Sequence, residues 1–265
     1  MFFPTYISET NLYNKNMKFN TNLSVPMASP APNVQMRKPV VVCCIPGKEF
    51  TPGFFDSWTK LTLATSRGLP FDIIVSRHYS PVIFHCRANL LGADNRAGVH
   101  QIPFQGKIDY DYIMWFDSDI VFEPEHVLQL FTKMQRDRAL EVLCGIYLTT
   151  SGTHSTIVKD WDLDFFLKTG MFPFLSPADL KNIANESPKK LAKVFYAGMG
   201  FMMCRKGALE KVTYPWFEPA MHEIDISKDF SSEDVSLCWK WKDAGVDVWV
   251  DPDIIVGHEK QIIIR

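Results

Sequence analysis

The sequence predicts an α/β domain with a largely parallel central sheet flanked by helices. Strand and helix patterns alternate through residues 38 to 150. Two runs, Val40-Val41-Val42-Cys43-Cys44-Ile45 and Ile113-Met114-Trp115-Phe116, are continuously apolar, as in strands buried on both faces. Each run stops at residues that end strands, Pro46-Gly47 in one case and Asp117-Ser118-Asp119 in the other. In such sheets ligands bind beyond the carboxyl ends of the strands, where Asp117 and Asp119 fall.

Residues 1–37 are rich in Asn, Ser, Thr and Pro without sustained periodicity, which predicts a disordered tail. Residues 38–265 are expected to form one domain. Its first strand, Pro39 to Ile45, is followed by a helix over Phe54 to Ser66, a strand over Phe71 to Ser76 and a helix over 82–97. After the strand at 112–116, Glu123-Pro124-Glu125-His126 opens a helix reaching about Arg138, with proline and acids in its first turn. Leu140 to Leu148 is the next strand. From 151 to 195 the pattern loosens into an aromatic, acidic, proline-broken stretch, expected to be a partly ordered insertion of the kind that often serves as a functional lid. Gly198 and Gly200 lead into a strand ending near Cys204. A helix starts around Ser231 to Asp234, with Ser231 and Asp234 at capping spacing, and short strands follow at Val246 to Val250 and Ile254 to His258.

Composition excludes some functions. The 265 residues are 46% hydrophobic and 22% charged, as in soluble globular chains. A net charge of -2 provides no basic field for a phosphate backbone, so nucleic acid is not an expected partner. The six cysteines are scattered without Cys-x-x-Cys spacing and read as reduced core residues. No apolar run reaches the ~18 residues of a membrane span, and no basic segment precedes an apolar secretory core. A cytoplasmic location is expected, with any membrane association peripheral.

The chemistry-bearing residues fall into three groups. Side chains alternate along a strand, so Asp117 and Asp119 are expected to point the same way, with only Ser118 between them. Two carboxylates that close need a cation or a shared proton, although Asp-Ser-Asp also suits a simple turn. Glu233 and Asp234 complement the dipole of a helix start, and a carboxylate fixed there is well placed to act as a base. His258 ends an apolar run and, with Asp119, can complete an oxygen and nitrogen ligand set suited to Mn2+ or Mg2+.

The order of these elements resembles glycosyltransferases of the GT-A fold, most closely the inverting, family-two-like group. The resemblance rests on Cys44-Ile45-Pro46, on Arg87 and Asn89, on Asp117-Ser118-Asp119, on the loop from Gly198 to Phe201, on Ser232-Glu233-Asp234 and on His258. It covers about residues 38–260. It implies metal-dependent transfer of a sugar from a nucleotide diphosphate to a hydroxyl of a glycan, glycoprotein or glycolipid, with inversion. It assigns Asp119, Asp117 and His258 to the metal, with Asp117 touching the ribose or a metal-bound water. Asp234 becomes the base and Glu233 the residue orienting the acceptor. Ile45, Pro46, Ser76, Arg87, Asp117, Ser118, Gly198 and Gly200 are then expected along the donor. The chain departs from the pattern at Ser76-Arg77-His78, where the family often has an acid, and at Ala88, which separates Arg87 from Asn89.

Two rival readings use the same residues. In a haloacid-dehalogenase-like phosphatase Asp117 is nucleophile and Asp119 general acid, but that motif belongs on a first strand. A noncatalytic sugar-nucleotide or glycan-binding module would need Asp119 and tolerate loss of Asp234.

Overall fold

The computed structural model describes residues 37–224 and 227–261. Of the tail predicted over 1–37, residues 1–36 lie outside the described residues. The strands are β1 (Val40–Pro46), β2 (Asp72–His78), β3 (Tyr112–Phe116), β4 (Ile120–Val121), β5 (Val142–Ile146), β6 (Ile157–Val158), β7 (Ala192–Val194), β8 (Tyr196–Ala197), β9 (Phe201–Arg205), β10 (Met221–Ile224), β11 (Ser227–Phe230), β12 (Val248–Ile255) and β13 (Gly257–His258). The helices are α1 (Pro52–Ser66), α2 (Ile83–Leu90), α3 (Pro124–Arg136), α4 (Leu163–Thr169), α5 (Pro177–Glu186) and α6 (Glu233–Asp243).

The main sheet has the order β2-β1-β3-β9-β5-β12-β7. Strands β2, β1, β3, β5 and β12 run one way, and only β9 and the edge strand β7 oppose them. This is the predicted largely parallel sheet. Alternation along its central strands feeds two cores. Val42, Cys44, Ile113 and Trp115 pack on one face with α2, α5 and α6, while Val41, Cys43, Tyr112 and Met114 pack on the other with α1 and α3. All six cysteines are buried and unbridged. Among the described residues no helix is long and apolar enough to cross a membrane.

Three expectations are corrected. The helix predicted over 82–97 ends at Leu90, because Gly92 adopts a left-handed φ of 69° and the Ala93 N–H turns back to the Ala88 carbonyl. The insertion at 151–195 holds β6, α4, α5 and β7, and β7 closes the main sheet along β12. The final apolar segments are not two separate short strands: β12 continues through Asp251-Pro252-Asp253 with a register shift between Val250 and Ile255. The chain then turns into β13, which pairs with β4.

Candidate active site

Strand β3 ends at Phe116, and residues 117–119 form a turn closed by the Ile120 N–H on the Asp117 carbonyl at 3.1 Å. Strand alternation therefore stops before the two acids, and their carboxylates part company. Asp117 Oδ1 accepts from Arg87 Nη2 at 3.3 Å, whereas Asp119 Oδ2 lies 3.4 Å from His258 Nε2. Among the described residues no three metal-ligating side chains converge, and Asp117 is held by Arg87.

The β4–β13 pairing explains how His258 arrives, 139 positions along the chain from Asp119. Gly257 sits opposite Val121 and His258 opposite Ile120, and the Glu259 N–H donates to the Asp119 carbonyl at 2.8 Å. His258 Nδ1 lies 2.8 Å from the Leu148 carbonyl, which assigns the proton to Nδ1 and directs Nε2 toward Asp119. A carboxylate oxygen beside an imidazole nitrogen with its other nitrogen committed is a donor set that fits Mn2+ or Mg2+, the remaining positions falling to ligand oxygens and water. Lys260 also reaches this carboxylate, its Nζ lying 2.6 Å from Asp119 Oδ2.

These neighbours set the charges. Burial works against the Asp119 carboxylate, but His258 and Lys260 outweigh it and hold its pKa down at about 2. Reciprocally, the hydrogen bond to Asp119 raises His258 above 6.5 despite partial burial. A raised imidazole contributes stability that is complete below 6.5 and is lost as pH climbs through the folded value. Asp119→Asn removes the cause, so in metal-free protein it should move the His258 titration midpoint downward, as followed by NMR of the imidazole protons. An unmoved midpoint contradicts the pairing.

Arg87 is the hub. On α2 it is only 4% exposed, lies over the Trp115 ring at 5.5 Å and joins two acidic elements: Nε donates to Glu233 Oε1 at 3.0 Å and Nη2 to Asp117. Burial opposes its charge, but Asp117, Glu233 and Asp234 together raise its pKa above the ordinary value. Its third nitrogen, Nη1, is buried with no acceptor among the described residues. The Glu233 pKa is also raised, burial and the charge of Asp234 lifting it against the pull of Arg87.

Asp234 stands in the first turn of α6 with three donors around it. Its Oδ1 accepts from Ser232 Oγ at 2.5 Å and from the Val235 N–H at 2.9 Å, and its Oδ2 accepts from the Tyr196 hydroxyl at 2.9 Å. A carboxylate offers about four lone-pair sites. One remains on Oδ2 for an incoming hydroxyl. The predicted cap by Ser231 does not form: its hydroxyl pairs with Ser236 Oγ at 2.6 Å, and Ser232 takes the cap position without capping the helix through its side chain.

The other residues expected along the donor lie on β1, on β2, in the 117–119 turn and in the loop before β9. Ile45 is a core residue at 2% exposure, buried Pro46 closes β1, and the Ser76 hydroxyl donates to the Leu90 carbonyl at 2.7 Å. Ser118 is half-buried in the turn between the two acids. The glycines serve packing. A Cβ on Gly198 would lie 2.2 Å from the Tyr147 hydroxyl, and one on Gly200 would lie 2.9 Å from the same ring and 3.0 Å from Asp117 Oδ2. Tyr147, whose hydroxyl accepts from the Gly200 N–H at 3.1 Å, packs edge-on against His258 at 5.2 Å and so ties the glycine loop to β13. Tyr147, Tyr196 and Lys260 were not among the residues expected from sequence. Nothing local marks them, since an isolated tyrosine in an apolar run or a lysine near a strand end has many ordinary uses.

No family model and no curated protein matches this chain. Solved structures do resemble it. GalNAc-T7 with UDP, GalNAc and Mn2+ is 10% identical at a TM-score of 0.47, over 84% of this chain and 44% of that one. Residues 1–349 of S. aureus TarS with UDP-GlcNAc are 12% identical at a TM-score of 0.43, over 85% of this chain and 60% of that one. Glucosyl-3-phosphoglycerate synthase from Mycobacterium tuberculosis, with Mn2+ and UDP-glucose, is 13% identical at a TM-score of 0.39, over 85% of this chain and 73% of that one. The chain thus spans less than two thirds of the first two, and at these values the likeness is one of general chain path.

Proposed function

We propose that this chain is a GT-A-type glycosyltransferase that moves a sugar from a nucleotide diphosphate to an acceptor hydroxyl with inversion. The observation that carries the reading is the Arg87 bridge: one buried guanidinium joins the Asp-Ser-Asp turn to the helix bearing Asp234, at the carboxyl end of β3. Donor and base elements are thereby held in one rigid frame.

Asp234 Oδ2 takes the proton of the acceptor hydroxyl as that oxygen attacks the anomeric carbon, while Tyr196 and Ser232 fix the direction of the carboxylate. The bond to the nucleotide diphosphate breaks on the opposite face, which inverts the centre. Negative charge then develops on the diphosphate, and Arg87 Nη1 is a buried N–H whose missing acceptor a phosphoryl oxygen can supply. Asp119 and His258 would hold a divalent cation, which supplies Lewis-acid stabilisation of the departing diphosphate when bound. The phosphatase alternative is disfavoured because Asp117, its nucleophile, is committed to Arg87 and does not lie on the first strand.

Calorimetry tests the reading with UDP, the nucleotide of the similar structures. UDP should bind more tightly with Mn2+ than without it, and Asp119→Ala should abolish the difference. Lys260→Ala frees Asp119 of its internal cation and should raise affinity for Mn2+ alone severalfold. Equal heats of UDP binding with and without Mn2+ would reject the metal role of Asp119 and His258.

A further inference from the structure

A cavity of about 210 Å³ opens beside the proposed base. Three of its walls are aromatic: Trp161 and Phe172 come from the 151–195 segment and Trp239 from α6, with ring centroids of Trp161 5.6 Å from Phe172 and 6.4 Å from Trp239. All three are only partly buried. Phe230, 62% exposed at the end of β11, forms the rim. Ser232 belongs to this wall and also donates to Asp234 Oδ1 at 2.5 Å. Ser232 thus links the cavity wall to the proposed base.

We propose that this cavity is the acceptor subsite and that it takes a neutral pyranose ring, presented with a hydroxyl toward Asp234. The acceptor role rests on the transferase reading, and the sugar specificity rests on the lining. A pyranose has a C–H-rich face that suits aromatic rings and an edge of hydroxyls that suits carboxylates, which Glu223 and Asp229 provide. Among the described residues the lining contains no Lys, Arg or His, and Lys228 reaches it only through its ion pair with Glu223 at 2.5 Å. With Glu223 paired to Lys228, an anionic acceptor such as a sugar phosphate would still face the Asp229 carboxylate and find no cation in the described lining. Cavities for drug-sized ligands run to about 300–1,000 Å³. The smaller volume here fits one sugar ring, with the rest of a chain or an aglycone leaving past Phe230.

Saturation-transfer NMR provides a test that needs no turnover. The probes are the methyl glycosides of glucose, galactose, mannose and N-acetylglucosamine, with glucose 6-phosphate as the anionic control, each with and without saturating UDP. At least one neutral glycoside should show saturation of its ring protons that UDP does not displace. Trp161→Ala should weaken that binding at least tenfold, and Phe230→Ala, which truncates an exposed ring and leaves the core intact, severalfold. Signal that survives both substitutions, or that appears only with glucose 6-phosphate, overturns the proposal, as does silence from all four glycosides. Binding of a glycoside without UDP binding would remove the transferase reading and keep the sugar site. UDP binding without any glycoside would remove the sugar site alone.

Discussion

Asp234→Asn should leave UDP affinity within twofold of wild type while lowering transfer by about 10²–10⁴, the range for a lost general base. That corresponds to about 3–5 kcal/mol of transition-state stabilisation. The substitution is suited to the question because its structural cost is small. Asn keeps the shape of the side chain, and of the three donors now aimed at the carboxylate two are hydroxyls, Tyr196 and Ser232, either of which can rotate to accept from the new amide. The Val235 N–H can still find the amide oxygen. Folding and donor binding should survive, and the capacity to take a proton should not. Single-turnover transfer beside UDP calorimetry separates the two effects. Transfer at the wild-type rate would move the base elsewhere, and Glu233 is a poor substitute because Arg87 already occupies its carboxylate at 3.0 Å.

The fold was legible where local pattern and tertiary setting agree. Continuous apolar runs became β1 and β3 because both faces of the sheet are covered, and the proline and acids at 123–126 opened α3 as their chemistry requires. Legibility failed where a distant partner decides. The period-two rule put Asp117 and Asp119 on one face, but it applies only inside a strand, and β3 stops one residue earlier. What separates the two carboxylates is the competition between Arg87, on α2, and His258, on β13, with Lys260 just past that strand. The glycines at 198 and 200 show the same limit. Sequence indicates a close approach without naming what approaches, which is Tyr147, 53 residues before Gly200. Asp119 and His258, expected to meet despite their separation along the chain, do lie 3.4 Å apart.

Arg87→Ala should be the most destabilising substitution at the site. Removing one member of a buried charged group leaves the others uncompensated, at a cost of about 3–5 kcal/mol. Here two carboxylates lose their partner at once, Glu233 with a side chain 10% exposed and Asp117 at 32%. For a domain of this size the loss corresponds to a fall in Tm of about 6–20 °C. Arg87→Lys should recover little, because a single ammonium cannot donate in two fixed directions to acids on α6 and on the 117–119 turn. The penalty should also depend on pH. Glu233 already titrates above its ordinary 4.5, through burial and the charge of Asp234, so the native state holds its proton longer than the unfolded chain does. Stability from that group is complete below 4.5 and is lost as pH rises through the folded value, and without Arg87 the folded value climbs further. The gap between Arg87→Ala and wild type should therefore widen from acid toward neutral pH. Adding Glu233→Gln, which cannot ionise, should return part of the loss and flatten the dependence. Urea unfolding of the single and double variants at several pH values measures both effects, and strict additivity of the two substitutions would show that the guanidinium and Glu233 are not energetically coupled.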